Sequence, residues 1–193
     1  MTRAERSQTG RMSGEERRFE RVGSDLLHDG RILTVTNDHF RFPDGKVVDR
    51  EIVHTSGAAA VVAVDDTHVW LVRQPREPID DPDSLEVPAG RLDADDESPL
   101  HSAQRELAEE IGKVADTWTP LKMYYSSVGF ATEAIHLFLA EGLRDAEGEH
   151  DSGEDERIEV VRWPLDDLEG LYAEVSDSKT LLGLLLYERL RRR

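Results

Sequence analysis

The 193-residue chain contains no cysteine. A disulfide, a thiolate nucleophile and a cysteine-ligated metal are all excluded, and any bound metal is expected to be oxygen-ligated. Positive charge is scarce. Lysine and arginine number 24 against 41 aspartates and glutamates, a formal net charge of −17, and only four of the 24 are lysines. No basic stripe is offered to a nucleic acid, and an anionic lipid surface would repel the chain. A nucleotide substrate stays open, because bound divalent cations can reverse the local sign. So acidic a surface mainly favours solubility, and a high-salt cytoplasm is one reason for it. Apolar runs such as "LLGLLL" (181–186) fall far short of the roughly 18 residues of a membrane span. The first 22 residues lack the apolar stretch of a secretory signal, so the expected compartment is the cytoplasm.

What is present is strand and helix patterning over most of the length. Residues 1–20 are polar and aperiodic and are expected to form a mobile arm. Residues 21–56 are expected to build a β-ribbon, from "RILTVTNDHFRF" and "KVVDREIVHT" with Pro43-Asp44-Gly45 as turn chemistry between them. Residues 57–193 form the main domain. Its first run, "GAAAVVAV", reads as a strand buried on both faces, and Asp65-Asp66-Thr67 turns it into "HVWLVRQ". The three prolines of "PREPIDDPD" (75–83) predict a loop. Strands follow at "LEVPAG", "LKMYYSS", "AIHLFLA" and "RIEVVRW", with an acidic loop over 145–156. "PLDDLEGL" predicts a short helix and "SKTLLGLLLYERLRRR" a closing amphipathic one. Strands mixed with helices, without regular βαβ alternation, predict an α/β (α+β) domain with a mixed sheet covered by helices.

Between "LEVPAG" and "LKMYYSS" lies the most acidic helix. Ser98 suits the N-cap and Pro99 the first helical position, while Gly112 permits a left-handed C-cap. At 3.6 residues per turn, Leu100, Ala103, Leu107, Ile111 and Val114 share one face, and Glu106, Glu109, Glu110 and Lys113 a neighbouring one. Carboxylates three and four residues apart repel. Either solvent screens them, with local pairs such as Arg105–Glu109, or a hard cation such as magnesium belongs between them.

The wider spacing decides. Glu97 precedes seven residues and then Arg105-Glu106-Leu107-Ala108-Glu109-Glu110-Ile111-Gly112, which resembles the Nudix box, G-x5-E-x7-R-E-U-x-E-E-x-G-U with U bulky and apolar. Two positions depart from it. Six residues separate Gly90 from Glu97 where the pattern has five, and Lys113 stands where it has an apolar residue. The resemblance implies hydrolysis of a nucleoside diphosphate linked to another group. It also implies a Nudix-type α/β/α sandwich with a strand–loop–helix motif, and Mg2+, with Mn2+ as the other candidate. By position, Glu106 and Glu110 look like the principal metal ligands. Glu109 is close by through metal or water, and the carbonyl of Ala89 is a further ligand. Arg105 would pair with Glu97, and Gly90 would let the chain turn.

Beyond the box, "VWLVRQPRE", "DREIVHTSGAAAVV", "VGFATEAIHLFLAEGL" and "SKTLLGLLL" resemble the ADP-ribose and nucleotide-sugar diphosphatase branch. Val128 stands before Gly129-Phe130 where that branch often has proline, which leaves another nucleoside diphosphate sugar close behind ADP-ribose. Nucleoside triphosphates, dinucleoside polyphosphates and a non-catalytic nucleotide sensor are the other readings. Glu133, in the loop after that Gly-Phe pair, is the candidate to align the attacking water. Arg50 and Arg76 are candidates for the diphosphate or the terminal ribose, since guanidinium forks match phosphate oxygens. Phe40 and Tyr125 could stack on the base or pack in the core. His54 and His136 read as structural, Trp70 and Trp163 as core. A two-stranded ribbon alone is marginal, and the closing helix has more leucine than one stripe needs. Both point to a symmetric homodimer, with the ribbon over the partner's active-site side.

Overall fold

The computed structural model describes residues 13–92, 98–147 and 157–192. Residues 1–12 of the expected arm, Glu97 and most of the acidic loop lie outside the described residues. Contacts divide the chain into two units: residues up to Thr55 with Ser127–Thr132, and Ser56–Ser126 with Glu133–Arg193.

The first unit is an antiparallel sheet of β1 (Glu20–Asp29), β2 (Thr34–Arg41) and β3 (Val47–His54), in that order. It has one strand more than the two-stranded ribbon read from the sequence. β1 escapes a pattern search because it is exposed along almost its whole length, so no alternation is imposed on it. Its pairing with β2 also slips between Arg21 and Gly23 and between Leu26 and His28. The segment 127–132 joins this unit through Val53, whose N–H donates to the Phe130 carbonyl (2.7 Å) and whose carbonyl accepts from Thr132 (2.9 Å).

The second unit is built on a seven-stranded mixed sheet. Its strands are β4 (Ala58–Val64), β5 (His68–Arg76), β6 (Asp81–Glu86), β7 (Ala89–Arg91), β8 (Lys113–Tyr125), β9 (Ala134–Asp145) and β10 (Glu159–Pro164). The main path is β10-β5-β4-β9-β8; β6 adds to β5 and β7 to β4. β4 and β9 run parallel, and the remaining pairs are antiparallel. Among the described residues, three helices complete the unit: α1 (Pro99–Ile111), α2 (Leu168–Glu174) and α3 (Ser178–Arg191).

The continuous apolar run of β4 separates its two faces residue by residue. Ala59, Val61 and Ala63 pack with Ala103, Leu107 and Ile111 of α1. Ala60, Val62 and Val64 pack with Leu168 and Leu171 of α2 and Leu184 and Tyr187 of α3. Helices therefore cover both faces of the sheet, which is the expected α/β/α sandwich. Burying a side chain such as Leu107, Leu171 or Leu184, all fully enclosed, contributes about 2 kcal/mol each.

One local expectation is corrected, and others gain detail. Residues 75–83 are not a free loop: β5 runs to Arg76, a 3-10 turn covers Glu77–Ile79, and β6 starts at Asp81. Pro82 is accommodated because it sits within a bulge of β6, where Pro82 and Asp83 face the single residue Pro75 between the pairs Arg76–Asp81 and Gln74–Ser84 and no ladder N–H is required. As expected, the helix ends at Gly112, so Lys113 and Val114 lie beyond it. The glycine cap ends α1, and β8 begins at once at Lys113. Trp70 and Trp163 pack against the core as expected but are half-buried, and each indole N–H finds an oxygen, on Asp65 (2.8 Å) and the Asp167 carbonyl (2.8 Å). Leu185 and Leu190 are exposed on α3 while Leu184 is buried, so its leucines cover more than one stripe, as expected.

Candidate active site

α1 is defined at both ends by its own sequence. Ser98 accepts a hydrogen bond from the His101 N–H (3.2 Å), and Gly112 adopts φ 67°, its N–H returning to the carbonyls of Ala108 and Leu107. Leu107 and Ile111 anchor one face against the sheet. That fixes the flank one step round the helix, where Glu106 and Glu110 lie one turn apart, each only 9% exposed.

Both carboxylates are seated on the strand that precedes the helix. The Ala89 N–H donates to Glu110 Oε2 at 3.0 Å. A Cβ built on Gly90 would overlap the carboxylate of Glu106. Glycine is thus required there for the close approach of a side chain, not for a turn: Gly90 is not among the positive-φ glycines. Glu109 is the outer member of the trio, 44% exposed, and Arg105 bridges it to its neighbour, 2.9 Å from Glu109 Oε2 and 2.8 Å from Glu106 Oε1. The local Arg105–Glu109 pair is therefore formed, while the expected partner Glu97 lies outside the described residues.

A second polar cluster was not foreseen. Glu86, 2% exposed at the end of β6, receives Arg76 as a fork, Nε to Oε1 at 2.6 Å and Nη2 to Oε2 at 2.7 Å. Lys179 of α3 reaches Glu86 Oε2 at 2.5 Å and Asp177 at 3.1 Å. Burial opposes ionisation of Glu86, but the Arg76 hydrogen bond and the charge of Lys179 outweigh it and hold the carboxyl at about 2. Arg76 is raised above its ordinary value by the Glu86 hydrogen bond and by the charges of Glu86, Glu110 and Asp177, which puts it in the field of the box carboxylates. Sequence alone gives little sign of this cluster. The hint is one acidic residue, Glu86, between the buried Leu85 and Val87.

The residues fit a divalent cation. Glu106 and Glu110 offer hard carboxylate oxygens on one flank, held by a strand whose glycine leaves space for them. Among the described residues, no three acidic or histidine side chains already close into a cage. Two buried carboxylates leave room for waters to complete the shell of such a cation.

The structure therefore brings together Ala89, Gly90, Arg105, Glu106, Glu109 and Glu110, with Arg76 nearby. Glu133 is half-buried just after the 127–132 segment, and its charge, with that of Asp177, acts on the Tyr124 phenol. Arg50 and Phe40 meet in the first unit. They line a cavity of about 300 Å3 with Phe19, Phe42, Ile52 and Phe130, where Phe19 and Phe40 stand edge to face at 5.4 Å. Arg50 Nη1 donates to the Asp49 carbonyl (2.7 Å). Tyr125 is exposed, and His54 is bonded to Thr36 (2.9 Å).

A helix carrying paired buried glutamates, seated on the strand before it in an α/β/α sandwich, is a Nudix arrangement, and the chain belongs to that family: the NUDIX domain model matches residues 53–182. It is a Nudix hydrolase, a family that works with divalent metal. Among curated proteins it is similar to the ADP-ribose pyrophosphatase of Bacillus subtilis (strain 168), 38% identical over 166 residues, 84% of this chain and 89% of that one. It is also similar to the ADP-ribose pyrophosphatase of Mycobacterium tuberculosis (strain ATCC 25618 / H37Rv), 38% identical over 149 residues, 77% of this chain and 71% of that one. In fold it resembles a crystal structure of an ADP compounds hydrolase, with a TM-score of 0.81 and 24% identity, covering 93% of this chain and 97% of the other.

Proposed function

We propose that the protein hydrolyses the diphosphate of ADP-ribose, or of a closely related nucleoside diphosphate sugar, to a nucleoside monophosphate and a sugar phosphate. The observation that carries this reading is the seating of Glu106 and Glu110 on Ala89 and Gly90. The similarity to two ADP-ribose pyrophosphatases supports the substrate class.

Mg2+, or Mn2+ in its place, would be held by Glu106 and Glu110, with Glu109 and the Ala89 carbonyl as further ligands. When bound, the ion neutralises the diphosphate and polarises its P–O bonds. The chain's own residues do the rest. Arg76 has Nε and Nη2 committed to Glu86, so Nη1 is the end left to reach a phosphate oxygen. Phe40 stacks on the base and Arg50 contacts the substrate from the same cavity. Glu133 takes a proton from the attacking water as its oxygen joins phosphorus, and the bridging P–O bond breaks toward the leaving phosphate. Arg105 holds Glu106 and Glu109 apart from each other's charge until the cation arrives.

The enzyme is proposed to act in the cytoplasm as a homodimer. The exposed apolar side chains Leu26, Leu27 and Ile32 in one unit and Leu185 and Leu190 in the other support association with a second copy. Among the described residues, no helix is long and apolar enough to cross a membrane. Light scattering at low micromolar concentration should give a mass near twice 21.8 kDa; the mass of one chain refutes the dimer.

Incubating the protein with Mg2+ and a panel of nucleotide sugars, and identifying products by mass, tests the activity. ADP-ribose should yield AMP and ribose 5-phosphate. A panel left intact while a nucleoside triphosphate or dinucleoside polyphosphate is cleaved overturns the proposal.

A further inference from the structure

The segment that seats the two box glutamates changes partners as it passes. Up to Glu86 it is paired with β5, through Val72–Glu86. From Ala89 it is paired with β4, through Ala60–Ala89. Val87 falls between the two ladders, fully buried. Its N–H donates instead to Thr180 Oγ1, at 2.8 Å, across 93 residues of chain.

Thr180 is itself fully buried and uses both capacities of its hydroxyl. It accepts from Val87 and donates to Asp177 Oδ2 at 2.6 Å. Asp177 is the N-cap of α3 and also accepts from the Thr180 N–H at 2.9 Å. The neighbouring Lys179 holds Glu86, the residue before Val87. Two adjacent residues of α3 thus grip two adjacent residues of the segment, and two residues beyond that grip the Ala89 N–H meets Glu110.

We infer that Thr180, assisted by Lys179, is a positioning residue for the metal-binding carboxylates: it fixes Val87 and so the Ala89–Gly90 seat on which Glu110 and Glu106 rest. This depends on the reading of Glu106 and Glu110 as metal ligands. The hydroxyl is needed, not merely the volume, because only a group that accepts and donates at once can link Val87 to Asp177. A valine fills the same space and leaves the Val87 N–H buried without its acceptor. Serine keeps both bonds.

Mn2+ binding to the protein without substrate, followed by electron paramagnetic resonance, tests this without recourse to turnover. Thr180→Val should bind Mn2+ up to about tenfold more weakly, the low end of the loss on removing a direct partner of a ligand, because Thr180 acts through Val87 and Ala89, and Thr180→Ser should keep wild-type affinity. Lys179→Met should weaken binding in the same direction, and is the deciding variant if Thr180→Val does not fold. Glu110→Gln is the reference. If it abolishes binding while folded Thr180→Val retains wild-type affinity, Thr180 only packs and the inference is overturned; where Thr180→Val does not fold, wild-type affinity in Lys179→Met overturns the grip of α3 on the seat and the inference with it. If Glu110→Gln binds Mn2+ as well as wild type, the reading of the metal site fails, and this inference with it.

Discussion

Ala89 and Glu110 share one hydrogen bond, from the peptide N–H of a strand to a carboxylate on the helix that follows it, over 3.0 Å. Glutamine at position 110 can keep that bond through its amide oxygen but loses the charge that would hold a cation. Glu110→Gln should therefore fold, with a melting temperature equal to or above that of the metal-free wild type, and lose turnover by orders of magnitude. Steady-state kinetics beside calorimetry checks it, and full activity, or loss only through unfolding, would deny the residue its role.

Gly90 and Gly112 flank the same motif but are glycine for different reasons, and alanine separates them. At Gly112, φ 67° makes any side chain strained, so alanine should cost about 1 kcal/mol of stability while the site keeps working. At Gly90 the new methyl would occupy the place of the Glu106 carboxylate. Gly90→Ala should cost little stability, because the carboxylate end of the flexible Glu106 side chain can move away, but the displaced carboxylate should abolish activity. The comparison needs only denaturant melts and a product assay; an active Gly90→Ala would contradict the packing.

Glu86 ties part of the stability to acid pH. Its folded pKa, about 2, lies below the ordinary 4.5, so its contribution is present above the ordinary value and is lost as pH falls through the folded one. Between pH 4.5 and about 2, wild type should lose stability that Glu86→Gln does not lose. Chemical denaturation across that window should give converging curves, and parallel ones would argue against the Arg76–Glu86–Lys179 network.

His39 works in the opposite direction, in the three-stranded sheet. Its two ring nitrogens meet Asp49 of β3 at 2.7 Å and Asp25 of β1 at 3.0 Å. Both can be hydrogen bonds only when the ring carries two protons, and the bonds to Asp49 and then Asp25 raise its pKa. The stabilisation is complete below the unfolded value of 6.5 and disappears as pH rises through the higher folded one. Proton NMR should find His39 titrating above 6.5, and His39→Gln should remove that loss of stability. A titration at or below 6.5 would break the clamp.

The box helix was legible because its limits and its faces are local. Ser98, Pro99 and Gly112 mark the ends within the residues they terminate, and the separation of Leu107 from Glu106 and Glu110 follows from the pitch of one helix. What escaped was decided at a distance. β6 could be recognised only from its own bulge against β5, which excuses Pro82. β1 is a strand because β2 pairs with it, not because its own residues alternate. The buried role of Glu86 depends on Lys179, and that of Val87 on Thr180, each 93 positions away. Gly90 is expected to let the chain turn, and the close approach of the Glu106 side chain could not be read from the sequence.

The parallel pairing of β4 with β9 joins Ala58 to Ile135 and Ala63 to Ala140. A chain emerging from the ribosome carries the whole of the box from Gly90 to Gly112 before the neighbour that completes its sheet has been made. Contacts so far apart in sequence are slow to form. α3, which carries Thr180 and Lys179, is synthesised later still. The signature of the enzyme is therefore translated early and its geometry is assembled last. A divalent ion added during refolding meets flexible carboxylates at first, and should hold the finished protein together rather than template its formation.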